Sequence, residues 1–180
     1  MRTLDKRVAV GRRKFLGASA GAALLAGLTG EIDAAQALAA TLRTVSSAEA
    51  AATLLKMARD IYPHDRVPDA YYAAAIASID ASLAAEPGGG ALLSDGIAAL
   101  DTAARARFGS AYVAVAQEPD RVALLHAMET TPFFQKVRGG LVTALYNQPE
   151  IWTLLGYEGS SVEHGGYIER GFDDINWLPA

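Results

Sequence analysis

Apolar residues recur along most of this 180-residue chain at the three- and four-residue spacing of one helical face. The spacing is clearest over residues 51–62, 69–85, 94–108 and 131–145, and it is weaker over 119–129. Alternation of apolar and polar residues, the pattern of a half-buried strand, never lasts more than a few positions. We therefore predict an all-α fold in which five to six helices form a single compact domain.

Helix ends are placed by capping and breaking residues. Ser46 and Glu49 form a capping box for the first of these helices, and Thr131 is positioned as the N-cap of a later one. The run Gly88–Gly90 predicts a loop, because three glycines lose too much backbone entropy to remain helical. The pair Gly139–Gly140 falls inside a predicted helix, where it indicates the close approach of another backbone. The positions predicted to face the core are Ala51, Leu55, Ala58, Tyr62, Tyr72, Ile76, Ile79, Leu83, Leu93, Ile97, Leu100, Ala104, Phe108, Val122, Leu125, Met128 or Glu129, Phe134, Val137, Leu141 and Leu145.

A basic and then apolar N-terminal stretch has the form of an export signal. Arg12, Arg13, Phe15 and Leu16 stand ahead of a soft apolar run, rich in glycine and alanine, that ends near Gly30. This arrangement is typical of the twin-arginine signal, which the twin-arginine translocase recognises on proteins that cross the membrane already folded. The run is shorter and less apolar than the roughly 20 residues of a membrane-spanning helix. We predict export to the periplasm, with retention of the stretch as an uncleaved anchor as the alternative.

The predicted domain boundaries follow from this signal. Ala37-Leu38-Ala39 has the small-x-small form of a cleavage site. We therefore assign residues 1–39 to the signal peptide, 40–157 to the helical domain and 158–180 to an irregular C-terminal tail. Residues 1–39 carry six basic and three acidic groups, and since the whole chain has a net charge of −4, the remainder carries −7. An acidic surface repels phosphate, so nucleic acid is excluded as a partner.

The sequence offers few groups for catalysis or cofactor binding. It contains no cysteine, so its own thiols cannot form disulfides, hold an iron–sulfur cluster or attach a c-type haem. None of its histidines, His64, His126 and His164, belongs to a His-x-x-x-His or Glu-x-x-His arrangement, the spacings typical of zinc sites on helices. We predict no catalytic, cofactor-binding or metal-binding residue. The alternatives are a small periplasmic enzyme that uses His64 and Asp65 for acid–base chemistry, and a stand-alone helical ligand-binding protein.

The tail contains large aromatic rings, which disordered segments usually lack. Tyr157, Tyr167, Phe172 and Trp177 each forgo about 1.5–3 kcal/mol if they remain in water, so we expect them to be buried against something. Two solutions remain open: the tail folds back over its own helices, or it wraps a partner chain and its rings act as anchors. The residues predicted to contact a partner are Trp152, Tyr157, His164, Tyr167, Phe172 and Trp177.

Three short motifs carry a family resemblance. Residues Met57–Asp65 read MARDIYPHD, Pro132–Arg138 read PFFQKVR, and Tyr146–Gly159 contain YNQPEIW followed by LGYEG. The last motif is the most specific, because a Phe-Phe helix followed at a fixed distance by Pro-x-x-Trp and Leu-Gly-Tyr is hard to reach by composition alone. With these motifs the chain resembles the gluconate 2-dehydrogenase subunit 3 family over roughly residues 46–160, almost all of the helical domain.

The resemblance implies a small accessory subunit of a periplasmic, flavin-dependent dehydrogenase. In such complexes a large subunit of the glucose-methanol-choline (GMC) oxidoreductase type holds FAD and oxidises an alcohol or sugar acid, and a cytochrome c subunit often takes the electrons. The small subunit carries the twin-arginine signal and brings the flavoprotein out folded. The family supplies no catalytic residue to transfer to this sequence, so FAD is expected in the partner subunit and the chain is not expected to be an enzyme by itself.

Overall fold

The computed structural model describes residues 31–168, which are predominantly helical. Seven α-helices and two short 3₁₀ helices follow one another, and this part of the chain contains no strand. The predicted all-α fold is therefore confirmed. The α-helices are α1 (Glu31–Thr41), α2 (Ala48–Ile61), α3 (Asp69–Ala84), α4 (Gly89–Phe108), α5 (Glu118–Ala127), α6 (Pro132–Tyr146) and α7 (Pro149–Leu155), and the 3₁₀ helices are Tyr112–Ala114 and Ser161–His164.

One hydrophobic core joins these helices. Helix α2 lies at its centre and contacts α1, α3, α4, α5 and α6, while α3 packs along α6 and α7 packs on α6. Side chains from α1 through α7 enter the same cluster, so no helix forms a separate unit. The largest fully buried side chains are Tyr72, Tyr112, Leu38, Leu54, Met57, Leu93, Leu100, Leu141, Leu145 and Ile151.

The inward faces predicted from residue spacing are confirmed in α3 and α6, and also in α4 except that Phe108 is only partly buried. Side chains three and four residues apart lie on one side of a helix, so a complete apolar row identifies the buried side directly. The N-cap of α6 is also confirmed, since the Thr131 hydroxyl accepts a hydrogen bond from the Phe134 amide at 3.3 Å. The buried positions that match the prediction are Tyr72, Ile76, Ile79, Leu83, Leu93, Ile97, Leu100, Ala104, Phe134, Val137, Leu141 and Leu145.

Two predicted helix starts are wrong by a few residues. Ser47, not Ser46, is the N-cap of α2, and its hydroxyl accepts a backbone N–H three residues further on at 3.4 Å. Within the glycine run only Gly88 precedes the helix, with a left-handed φ of 78°, and α4 begins at Gly89. A Cβ on Gly89 would lie 2.1 Å from the carbonyl oxygen of Leu83. Only glycine fits at this position against the end of α3. This requirement outweighs the entropy that glycine loses in the first turn of α4.

The predicted inward face of α5 is wrong in part. Leu125 is buried as expected, but Val122 is only partly buried and Arg121 takes a core position with 6 % of its surface exposed. In α6, the close approach predicted for the glycine pair occurs at Gly140 alone. A Cβ there would lie 2.7 Å from Cγ1 of Ile79, so the close neighbour is a side chain and not a backbone.

The described helices exceed the predicted five to six because α1 belongs to the packed domain. In this helix Ala35 and Leu38 are 4 % and 1 % exposed. The predicted cleavage site Ala37-Leu38-Ala39 consequently lies within a helix that packs on α2. None of the helices between residues 31 and 168 has both the length and the hydropathy needed to cross a bilayer.

Candidate partner-contact site

A charged network in the interior joins α2 to α5. Arg121 donates from Nε to Asp60 Oδ2 at 2.7 Å and from Nη2 to Asp60 Oδ1 at 2.8 Å, which makes a bidentate ion pair. Its Nη1 donates to the carbonyls of Val115 and Ala116, and Tyr112 Oη donates to Asp60 at 2.6 Å. The hydrogen bond to Asp60 raises the pKa of Arg121, and burial, followed by the bond to Asp60, raises the pKa of Tyr112. The network therefore connects α2 to α5 and to the segment between α4 and α5 through hydrogen bonds.

A group of rings lies where the loop after α2 meets the end of α6. His64 Nε2 lies 2.6 Å from Tyr146 Oη, and the two rings meet edge to face with centroids 5.6 Å apart. Tyr62 packs edge to face on the same ring at 5.7 Å. Burial, followed by the nearby Tyr62, raises the pKa of Tyr146. His64 thus pairs with a residue far along the chain, while its neighbour Asp65 is exposed.

Helix α7 continues this group of rings toward the solvent. Trp152 is partly buried, and its Nε1 donates to the carbonyl of Tyr146 at 2.6 Å. Tyr157 packs edge to face on Trp152, with centroids 5.4 Å apart, and leaves 51 % of its surface in water. Gly156 ends α7 with a left-handed φ of 81° and turns the chain between these two residues. Trp152 is therefore anchored by its own chain, and Tyr157 is presented to the outside.

Exposed apolar side chains are concentrated at the end of α7 and in the residues that follow it. Among the described residues seven large hydrophobic side chains are exposed, and five of these lie between positions 155 and 168. We call these five residues the C-terminal apolar segment. Exposed hydrophobic residues on monomeric proteins are usually scattered, so this concentration makes the stretch a candidate contact surface. The five residues are Leu155, Tyr157, Val162, Tyr167 and Ile168.

The predicted contact residues are distributed unevenly over this site. Trp152 and Tyr157 pack together, and Tyr167 is exposed in the same segment. Sequence patterns did not indicate Leu155, Val162 and Ile168, because a single aliphatic residue carries no signal for exposure in the folded chain. The side chain of His164 and the whole of Phe172 and Trp177 lie outside the described residues, as do the export-signal residues Arg12, Arg13, Phe15 and Leu16.

A comparison with protein families identifies the chain. The model of the family described as gluconate 2-dehydrogenase subunit 3 matches residues 48–159. The chain belongs to the gluconate 2-dehydrogenase subunit 3 family. This match confirms the resemblance carried by the three motifs, and the family name implies a subunit of a multi-subunit dehydrogenase complex. Comparisons with curated proteins and with solved structures gave no match.

The group of rings around Tyr146 links two of the three motifs of this subunit 3 family member. His64 comes from the first motif, and Tyr146 and Trp152 come from the last, so the hydrogen bonds at Tyr146 join distant parts of the matched region. The match ends at Gly159, which lies between Tyr157 and Val162 of the C-terminal apolar segment. Between residues 31 and 168 no group of three or more His, Cys, Asp or Glu side chains is arranged to hold a metal ion.

Proposed function

We propose that this chain is the non-catalytic small subunit of a periplasmic, flavin-dependent dehydrogenase. Its role is to stabilise and co-export a large subunit of the GMC type, which holds FAD and oxidises an alcohol or sugar acid. A cytochrome c subunit that accepts the electrons is a further expected partner. The observation that carries this proposal is the exposed C-terminal apolar segment in a chain of the subunit 3 family.

The exposed segment supports a protein partner on energetic grounds. Val162 and Ile168 are 84 % and 85 % exposed. Burying a side chain of this size stabilises by about 1.5–3 kcal/mol, and tyrosine and tryptophan dominate the energetics of many interfaces. We therefore propose that the large subunit covers this segment. The residues assigned to the contact from the sequence, Trp152, Tyr157, His164, Tyr167, Phe172 and Trp177, lie within or beside it in the chain.

The assignment of chemistry to the large subunit is supported by how the interior uses its titratable groups. Asp60 is neutralised by Arg121, and Asp80 accepts hydrogen bonds from the backbone just after α1. His64 is paired with Tyr146. Each of these groups has a hydrogen-bonding partner within the chain, which explains its position without a substrate.

The route of export supports joint transport of two subunits. FAD is bound by the folded structure of a flavoprotein, so we expect the large subunit to fold around FAD before it leaves the cytoplasm. The twin-arginine route carries proteins in that state, and residues Arg12 and Arg13 belong to this chain. A single signal on the small subunit would then serve the whole complex, provided that the subunits associate before export.

Joint export can be tested by expressing the large subunit with and without this chain. We expect periplasmic flavin absorbance and dehydrogenase activity only when the wild-type chain is present. The double variant Arg12→Lys, Arg13→Lys should retain the assembled complex in the cytoplasm, because the translocase no longer recognises it. Active flavoprotein reaching the periplasm alone, in equal yield, would contradict the proposal.

The contact surface can be tested by a matched pair of variants. Val162→Ser combined with Ile168→Ser should weaken binding to the large subunit at least about ten-fold, which corresponds to about 1.4 kcal/mol. Val142→Ser on α6 is the control, since Val142 is also apolar and 48 % exposed but lies outside the segment. Trp177→Ala should weaken assembly more than it lowers the Tm of the isolated chain. Equal losses of affinity in the control and in the segment variants would refute this surface.

A further inference from the structure

Helix α1 contributes side chains to the core of the domain. Ala35 and Leu38 are buried, and Ala39 packs against the same hydrophobic cluster, as does Leu42 just after the helix. The helix lies along α2 and also contacts α3. The peptide bond between Ala39 and Ala40, where the small-x-small pattern predicts cleavage, lies inside α1.

A buried carboxylate holds the chain immediately after α1. Asp80 on α3 is 1 % exposed, and its oxygens accept hydrogen bonds from the backbone amides of Arg43 and Thr44 and from the Thr44 hydroxyl. A buried carboxylate is costly unless its oxygens are hydrogen-bonded. These donors come from the segment that follows α1, so releasing that segment would leave Asp80 without them. The contact therefore ties the end of α1 to the interior.

We infer that α1 remains part of the exported protein and that any removal of the signal occurs N-terminal to Glu31. This inference rests on the proposed twin-arginine export, which transports a chain after it has folded. Helix α1 is then docked before a peptidase on the far side of the membrane meets the chain. Proteolysis of a folded protein requires the bond to open into an accessible segment. Cleavage after Ala39 is consequently blocked until α1 leaves the core.

The docking of α1 can be tested on the full chain without export. Trypsin cleaves after Arg43, at a peptide bond whose N–H is held by Asp80. In the full chain purified before export, Asp80→Asn should increase the rate of this cleavage about ten-fold, because the substitution removes the carboxylate charge that accepts the hydrogen bonds from Arg43 and Thr44. Asp95→Asn is the control, because Asp95 is exposed on α4, and trypsin should cleave this variant after Arg43 at the wild-type rate. Equal rates in the wild-type and Asp80→Asn proteins overturn the inference.

A second variant covers the case in which Asp80→Asn does not fold, as judged by circular dichroism. Thr44→Val keeps the shape of the side chain and removes only its hydroxyl donor to Asp80. Cleavage after Arg43 should again be faster than in the wild-type protein, and an unchanged rate in this folded variant overturns the inference.

The position of the N-terminus is tested by the intact mass of the exported protein, purified through a C-terminal tag from periplasm and membrane. The wild-type mass should include residues 31–39, and Asp80→Asn should yield a fraction that begins at Ala40. A wild-type species that begins at Ala40 overturns the inference. Failure to find any exported species would instead count against the proposed route of export, and the trypsin rates would still decide whether α1 is docked.

Discussion

Charged residues usually lie on the surface of a protein and apolar residues in its interior. Two regions of this chain reverse that rule: the interior around Arg121 buries a charge, and the C-terminal apolar segment exposes apolar side chains. Arg121 is charged and 6 % exposed, whereas Val162 and Ile168 are apolar and more than four-fifths exposed. Asp60 and Tyr112 satisfy the interior charge within the same chain. A buried charge must be matched by the chain that buries it, while an exposed apolar residue can be covered later by another molecule. The first region should therefore govern stability, and the second should govern assembly.

The largest effect is expected when the interior ion pair is broken. Arg121→Met should lower the free energy of unfolding by about 3–5 kcal/mol, because it leaves Asp60 buried without its cation. Urea denaturation measures this loss. Arg105→Met is the control, since the Arg105 side chain is 56 % exposed and lies 3.8 Å from its partner Asp101, and it should change stability by no more than about 0.5 kcal/mol. A loss below about 1 kcal/mol for Arg121→Met would mean that the interior pair does not govern stability.

A smaller loss is expected where α4 and α6 leave no room for a methyl group. A Cβ on Gly96 would lie 2.1 Å from the ring of Phe133, so Gly96→Ala should cost about 1–3 kcal/mol through overpacking. Gly139 on α6 has no neighbouring atom within 4 Å of such a Cβ, and Gly139→Ala should stabilise the helix by up to about 1 kcal/mol. A lower Tm for Gly96→Ala and a higher Tm for Gly139→Ala would support the packing of these helices. Equal changes in Tm for the two variants would contradict it.

The interior should also respond to alkaline pH. The pKa of Tyr112 is raised from 10.0 by burial, so above pH 10 the unfolded chain loses this proton while the folded chain keeps it. The free energy of unfolding should therefore fall by up to about 1.4 kcal/mol per pH unit from this residue. Tyr112→Phe should lower stability at neutral pH but make the alkaline slope shallower. The same slope in both proteins, measured by urea denaturation between pH 8 and pH 11, would contradict this assignment.

The smallest effect on the isolated chain is expected in the C-terminal apolar segment. Val162→Ser and Ile168→Ser should each change the free energy of unfolding by no more than about 0.5 kcal/mol, because both side chains are solvent-exposed. The same variants are expected to impair binding to the large subunit. A loss of more than about 1 kcal/mol in the isolated chain would show that the segment supports its own fold, and the comparison between the two regions would fail.

The sequence predicted those features that depend on neighbouring residues. The extent of α3 and the Thr131 cap of α6 follow from apolar spacing and capping chemistry within a few positions. Arg121 was missed because its ion-pair partner Asp60 lies 61 positions away, and hydropathy alone places an arginine outside. The pairing of His64 with Tyr146, 82 positions apart, was likewise beyond local patterns, although both residues lie in motifs that indicated the family.

The sequence by itself determined the helical class and, through its motifs, membership of the subunit 3 family. Only the tertiary structure decided that α1 enters the core, that Arg121 is buried, and that the residues of the C-terminal apolar segment stay exposed. The physical reason is the range of the interactions involved. Helix formation and capping are settled by residues within about one turn of each other, whereas burial depends on which distant segments the fold brings together.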